Sequence, residues 1–338
     1  MSLAIRLRRS VVVVGAAALT AVMGWSGSAS AQNLRLVANW GKGIYSTDYM
    51  IKWIESFNAS NGAKSAKIQI TFVGGPEATP ATEQLTALRN GVFDMMFGAA
   101  GYYVGAVPEG FVFYGTQLTP MAARKNGGLD LLAQIWTKKA NAHPLGWVAA
   151  GVGYHIWLVN EPKLKADGTP DLAGLKIRSS GLYKPWLDSM GATNVMIPAP
   201  DIYGALERKI VDGAAWPGLG ITDLGFEKFV HYRIDPPVWQ FDNMLWINAN
   251  KWKSLSKAAQ DALNASVMKL EEDAYNYYAS LVAAERAKTD KAGVKSFMLK
   301  GEAAKKYVSM AEALQWGQIK SKAPENYEAL RAKFAASK

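Results

Sequence analysis

Short apolar runs alternate with stretches of helical spacing along most of this chain. LRLVANW (34–40) reads as a strand that runs into the loop GKGIYS. Asp48 to Asn58 follows, with Met50, Ile51, Ile54 and Phe57 on one helical face. AKIQITFVGG (66–75) alternates like a strand and stops at a Gly-Gly-Pro turn. Thr82 to Asn90 reads as a helix ended by Gly91, and VFDMMFGAAG (92–101) as another strand. Strand, helix, strand, helix, strand predicts α/β layering with a largely parallel sheet.

The same rhythm returns further on. Residues 127–142 are helical in pattern, and WVAAGVGYHIWLVN (147–160) reads as one long apolar strand. Leu175-Lys176-Ile177 is a short strand, Tyr183 to Met190 a helix closed by Gly191, and TNVMIPA (193–199) a strand. Asp201 is placed to cap a helix through Lys209, before VDGAAWPG (211–218) as strand and loop. NMLWIN (243–248) is apolar again. Helical stretches fill 253–289, 301–316 and 324–335, and Lys257 to Lys288 has few breakers. No Pro/Gly/Ser tether separates the two α/β units, so the chain is expected to cross between them more than once.

The first 31 residues follow a different pattern. Arg6, Arg8 and Arg9 precede the apolar run VVVVGAAALTAVM, and Ala29-Ser30-Ala31 supplies small residues in an A-x-A arrangement. This is the pattern of an export signal cleaved after Ala31. The apolar run is shorter than the ~20 residues of a spanning helix. Arg8-Arg9 is also compatible with twin-arginine export. Loss of three arginines and no acid lowers the formal charge from +10 to +7. The basic residues are spread along the chain, which argues against nucleic acid and for attraction of small anions. There is no cysteine, so disulfides, thiol nucleophiles and a lipoprotein anchor are excluded. The expected location is the periplasm.

An open parallel sheet binds ligands beyond the carboxyl ends of its strands. That selects Asn39 and Trp40, Gly98 to Tyr102, Arg178, and Ala215 and Trp216. Arg178 follows an apolar run and precedes Ser179, Ser180 and Gly181. Its planar fork of donors matches a carboxylate. By position alone its partner is either a ligand anion or a protein Asp or Glu.

The stretch DLAGLKIRSSGLYKPWLDSMGATNVMIPAPDIYGALERKIVDGAAWPG (171–218) resembles the solute-binding proteins of tripartite ATP-independent periplasmic (TRAP) transporters, DctP type. The resemblance continues in EQLTALRNGVFDMMFG (83–98) and NANKWKSLSKAAQDAL (248–263), and covers essentially all of 33–338. It implies a two-domain, class II-like periplasmic-binding-protein fold of α/β type. A cleft lies between the domains and a long helix braces both. The expected division is residues 32–154 with about 244–285 as one domain, and 155–243 with 286–338 as the second domain and hinge. The family arginine that matches Arg178 pairs with the substrate carboxylate, and hinge closure delivers the ligand to membrane permease subunits.

Two departures bear on the ligand. Some members carry a second Arg in the crossover strand, where this chain has His155, which favours a monocarboxylate. A subgroup resembling 2-oxoacid and lactate binders has Glu-Trp where this chain has Ala215-Trp216. Trp216 matches, but Ala215 lacks the carboxylate that holds a metal cation there, so no cofactor or cation is expected. Asp242 and Glu77 are the acids to consider in its place. Trp40, Tyr45, Tyr102, Tyr154, Trp186, Trp216 and Trp239 sit in or near predicted strand ends or loops. Of these Trp40, Tyr102, Tyr154, Trp216 and Trp239 join Arg178 and His155 as candidate binding residues. They suit an aromatic, branched, 2-oxo or 2-hydroxy acid. No HExxH, G-x-S-x-G, Walker loop or G-x-G-x-x-G is present, so catalysis is not expected. A ligand sensor for a signalling receptor, or a periplasmic enzyme acting on an organic acid, are the other readings. The sequence leaves monomer and homodimer open.

Overall fold

A computed structural model describes residues 32–335; the expected export signal lies outside the described residues. The strands in chain order are β1 (Gln32–Ala38), β2 (Ile68–Gly74), β3 (Met95–Ala99), β4 (Ala142–Ala149) and β5 (Tyr154–Leu158). A small ribbon pairs β6 (Lys163–Leu164) with β7 (Pro170–Asp171). Then come β8 (Lys176–Ser179), β9 (Thr193–Met196), β10 (Gly213–Pro217), β11 (Tyr232–Asp235), β12 (Asn243–Asn248) and β13 (Lys295–Met298).

Two mixed sheets result. The first has the order β2-β1-β3-β12-β4, and the second β13-β11-β5-β10-β8-β9. Each is parallel except for one strand. In the first sheet β12 runs antiparallel to β3 and β4, and in the second β5 runs antiparallel to β10 and β11. These two strands arrive from the other sheet. The chain passes from β4 to β5 and returns from β11 to β12. The crossings lie side by side, with Phe241 N donating to Val152 O at 3.0 Å and Tyr154 N donating to Val238 O at 2.8 Å.

The apolar run 147–160 is therefore two strands in two sheets rather than one. Gly151 breaks it with a φ of +78°, a conformation that costs glycine little. Gly153 lets the crossings touch, since a Cβ there would lie 2.3 Å from Pro237 Cβ. Asp201 precedes the helix Ile202–Glu207 but makes no side-chain cap hydrogen bond.

One helix, Lys257–Lys291, runs for 35 residues. Ser256 starts it by accepting from Ala259 N at 3.2 Å, which satisfies one of the free N-terminal donors. Leu263, Val267, Leu270, Ala274 and Tyr278 form its buried stripe. Two buried acids tie it at separate points. Glu271 accepts from Arg124 at 2.8 and 2.9 Å and from Trp147 N on β4 at 2.8 Å. Glu285 accepts from Thr222 N at 2.9 Å and Thr222 Oγ1 at 2.8 Å, in the loop after β10. The helix thus grips elements of both sheets. Near the C-terminus, Trp316 donates to Gly115 O at 2.8 Å. Among the described residues, no helix is long and apolar enough to cross a membrane.

Candidate functional site

Arg178 sits in β8 with β10 on one side and β9 on the other. Its side chain is fixed by strand-end carbonyls. Nε donates to Ile197 O at 2.8 Å, and Nη1 reaches Ala215 O at 3.5 Å. The guanidinium lies 5.1 Å from the centre of the Trp216 ring, a separation at which the aromatic face attracts a cation. The Trp216 ring is held by its own indole N–H, which donates to Leu219 O at 2.9 Å. Arg178 is 2% exposed. Burial lowers its pKa, opposed by the neighbouring Tyr102 and Tyr183. Among the described residues no Asp or Glu forms an ion pair with it.

Arg178 faces a cavity between β8, β10 and the returning crossover. Trp40, Tyr45, Tyr102, Tyr154, Tyr183, Trp216 and Phe241 supply most of its aromatic lining, and among the described residues Arg178 is the only cation that lines it. Trp40 packs edge-on against Phe97 at 5.9 Å, and its buried indole lies beside the Tyr102 hydroxyl. Burial raises the pKa of Tyr102, while Arg178 pulls the other way. A second hollow adjoins the first and shares Gly101, Tyr102, Arg178 and Ser180 with it.

Of the seven residues expected from sequence, five line this cavity: Arg178, Trp216, Tyr102, Trp40 and Tyr154. His155 does not. Register explains this. Ala214 pairs with Arg178 and Trp216 with His155, so Arg178, Trp216 and His155 share one sheet face on three successive strands. Trp216 covers Arg178, and His155 lies one strand beyond it. There His155 Nδ1 is 3.1 Å from Ile234 O and 3.2 Å from Asp235 Oδ1. Trp239 also stands outside the lining. Its indole donates to Ala311 O at 3.0 Å, and its ring backs Tyr183 at 5.6 Å and Tyr114 at 5.5 Å.

The principal residue that sequence reasoning undervalued is Asp242, considered there only as a cation ligand. It lies at the end of the returning crossover, fully buried, and lines the cavity. Its carboxylate accepts from Tyr154 Oη at 2.8 Å, from Gly101 N at 2.6 Å, and from Tyr114 Oη. Burial pushes its pKa up, against the pull of those three donors. The signal was the lone charged residue in the largely apolar run VWQFDNMLWIN. Glu77 is elsewhere, accepting from Gly75 N at 2.6 Å. Among the described residues no group of three or more His, Cys, Asp or Glu is arranged to hold a metal.

The model of the bacterial extracellular solute-binding proteins, family 7 (DctP), matches residues 45–318. The chain belongs to that family. This DctP chain is 26% identical over 228 residues to a monocarboxylate 2-oxoacid-binding periplasmic protein of Nostoc sp. (strain PCC 7120). The match takes in 64% of this chain and spans 61% of that relative's length. Solved structures share the fold. One is an extracytoplasmic solute receptor of Bordetella pertussis binding pyroglutamic acid, with TM-score 0.76 and 16% identity, covering 90% of this chain and 99% of the other. Another is a TRAP transporter solute-binding protein of Bordetella bronchiseptica RB50 with calcium and picolinate bound. Its TM-score is 0.72 and its identity 23%, covering 90% of each chain.

Proposed function

We propose that this protein is the periplasmic solute-binding subunit of a TRAP transporter that captures an organic monocarboxylate on Arg178. One observation carries the reading: a guanidinium that is 2% exposed lines a cavity and has no carboxylate partner. A buried charge without a counter-ion is costly. A ligand carboxylate supplies that counter-ion, in a fork-to-fork geometry that Arg favours. The single-charge preference no longer rests on His155, which faces Asp235. It rests on the charge balance of the lining, where among the described residues Arg178 is the one cation and Asp242 the one acid. Within this cavity a second ligand carboxylate has no cation to meet and an acid to repel it, and Lys322 lines only the adjoining hollow.

The aromatic walls then hold the body of the acid, whether branched, aromatic, 2-oxo or 2-hydroxy. The name of the Nostoc relative is consistent with this class. The antiparallel crossings at 150–153 and 236–242 are the hinge about which the two halves, each built on one sheet, close. The bound acid passes from there to the membrane permease, after export and removal of residues 1–31.

A thermal-shift screen against organic acids tests the reading, because a ligand of the folded state raises the melting temperature by mass action. Monocarboxylates are expected to stabilise the wild type, dicarboxylates to do so less, and Arg178→Ala to respond to neither. A variant that responds as fully as the wild type removes Arg178 from the site.

A further inference from the structure

The cavity has two chemical ends. Arg178 supplies only donors, and the indole N–H of Trp40, beside the Tyr102 hydroxyl, is a donor too. The other end is built around Asp242. The hydroxyls of Tyr154 and Tyr114 and the amide of Gly101 converge on its oxygens; when Asp242 is ionised it only accepts, and all three protons point at it. With their protons committed, the two phenol oxygens keep only lone pairs for anything else. The local backbone is shaped to this arrangement. A Cβ on Gly101 would lie 2.4 Å from Tyr114 Oη and 3.3 Å from Asp242 Oδ2, so only glycine brings its N–H this close. Arg178 and Asp242 line one cavity and make no ion pair with each other.

We infer that Asp242, Tyr154 and Tyr114 form an acceptor-only subsite that selects monocarboxylates carrying a hydrogen-bond donor, an O–H or N–H, in addition to the carboxylate. This deepens the proposed function and rests on Arg178 as the carboxylate anchor. A 2-oxo acid brings an acceptor to this subsite and leaves lone pairs facing lone pairs. A 2-hydroxy acid or an acid with an N–H completes it. A site built to receive a donor discriminates strongly against the analogue that lacks one, because its buried polar atoms are then left unpaired.

The test is calorimetric titration of the purified protein with two matched series. One is lactate, pyruvate and propionate. The other is 2-hydroxy-4-methylpentanoate, 2-oxo-4-methylpentanoate and 4-methylpentanoate. Within whichever skeleton binds, the hydroxy acid is expected to bind about tenfold or more tightly than the oxo and unsubstituted acids. Tyr154→Phe keeps the ring and removes one acceptor, and Asp242→Asn releases the phenol protons; each is expected to shrink that ratio toward one. Should Asp242→Asn fail to fold, Tyr154→Phe decides alone. An oxo acid that binds as tightly as its hydroxy partner overturns the inference while leaving Arg178 in place, provided Arg178→Gln loses every acid. If neither series binds the wild type but an aromatic acid does, mandelate, phenylglyoxylate and phenylacetate replace them and the same ratio decides; if no acid binds, the carboxylate anchor itself fails and the inference falls with it.

Discussion

Two buried arginines of the second sheet lie over tryptophan rings, and they are built to opposite ends. Arg233 sits 5.5 Å from the Trp157 ring centre and pairs with Asp235 at 2.9 Å. Asp235 in turn meets His155, Arg286 at 3.4 Å and Ser296. Arg178 sits 5.1 Å from the Trp216 ring centre and, among the described residues, pairs with no acid. The neighbouring aspartates repeat the contrast. Burial opposes ionisation of Asp235, but His155 and Arg233 hold its carboxyl well below the usual range. Asp242, seven residues later, is surrounded by tyrosines and a backbone amide, and its pKa is raised by burial. A buried charge that finds its partner inside the chain is scaffold. One that the fold leaves open is where a ligand belongs.

Mutation should separate the two regions. The largest expected effect is on the scaffold: Arg233→Ala leaves Asp235 without its closest cation and costs about 3–5 kcal/mol. Arg178→Ala should change stability far less, or raise it, while ligand binding disappears. Urea unfolding of both variants, with and without the best acid from the screen, gives the comparison. Equal losses of stability would erase the distinction between them.

The pH dependences should run in opposite senses. Asp235 has a folded pKa below its ordinary value, so its contribution is present above about pH 4 and lost as pH falls below that. Asp235→Asn should therefore cost stability at pH 7 and converge on the wild type in acid. Asp242 has a folded pKa above its ordinary value. It favours the folded state below about pH 4, and that contribution is lost as pH rises through its folded pKa. Asp242→Asn should gain on the wild type as pH rises. Melting curves from pH 3 to 8 test both, and parallel profiles for the two variants would sink the argument.

A smaller effect belongs to Trp216→Leu. It removes the aromatic face over Arg178 and should weaken acid binding by about 1–2 kcal/mol. Calorimetry that finds affinity unchanged would leave Trp216 as packing alone.

Some of this was legible in the chain and some was not. The end of β8 could be read because an apolar run stopping at Arg178 and Ser179 needs no distant information. NMLWIN became β12 and the long helical stretch became Lys257–Lys291 for the same local reason. The split of 147–160 was not legible, because both halves are apolar and only their partners in different sheets distinguish them. β11 and β13 were missed because YRID and KSFM are too short and too polar to declare themselves without each other. His155 fell outside the cavity lining because counting along a strand gives its face but not which neighbour stands between it and the cleft. Asp242 was undervalued because its meaning depends on Tyr114 and Gly101, more than a hundred residues earlier.

The most direct test of the account is a crystal structure of the protein with the tightest-binding acid from the screen. The account predicts a carboxylate within hydrogen-bond distance of the Arg178 guanidinium, beneath Trp216 and enclosed by Trp40, Tyr102 and Tyr154. A ligand held in the cavity with its carboxylate on another group, and Arg178 left unpaired, would contradict it.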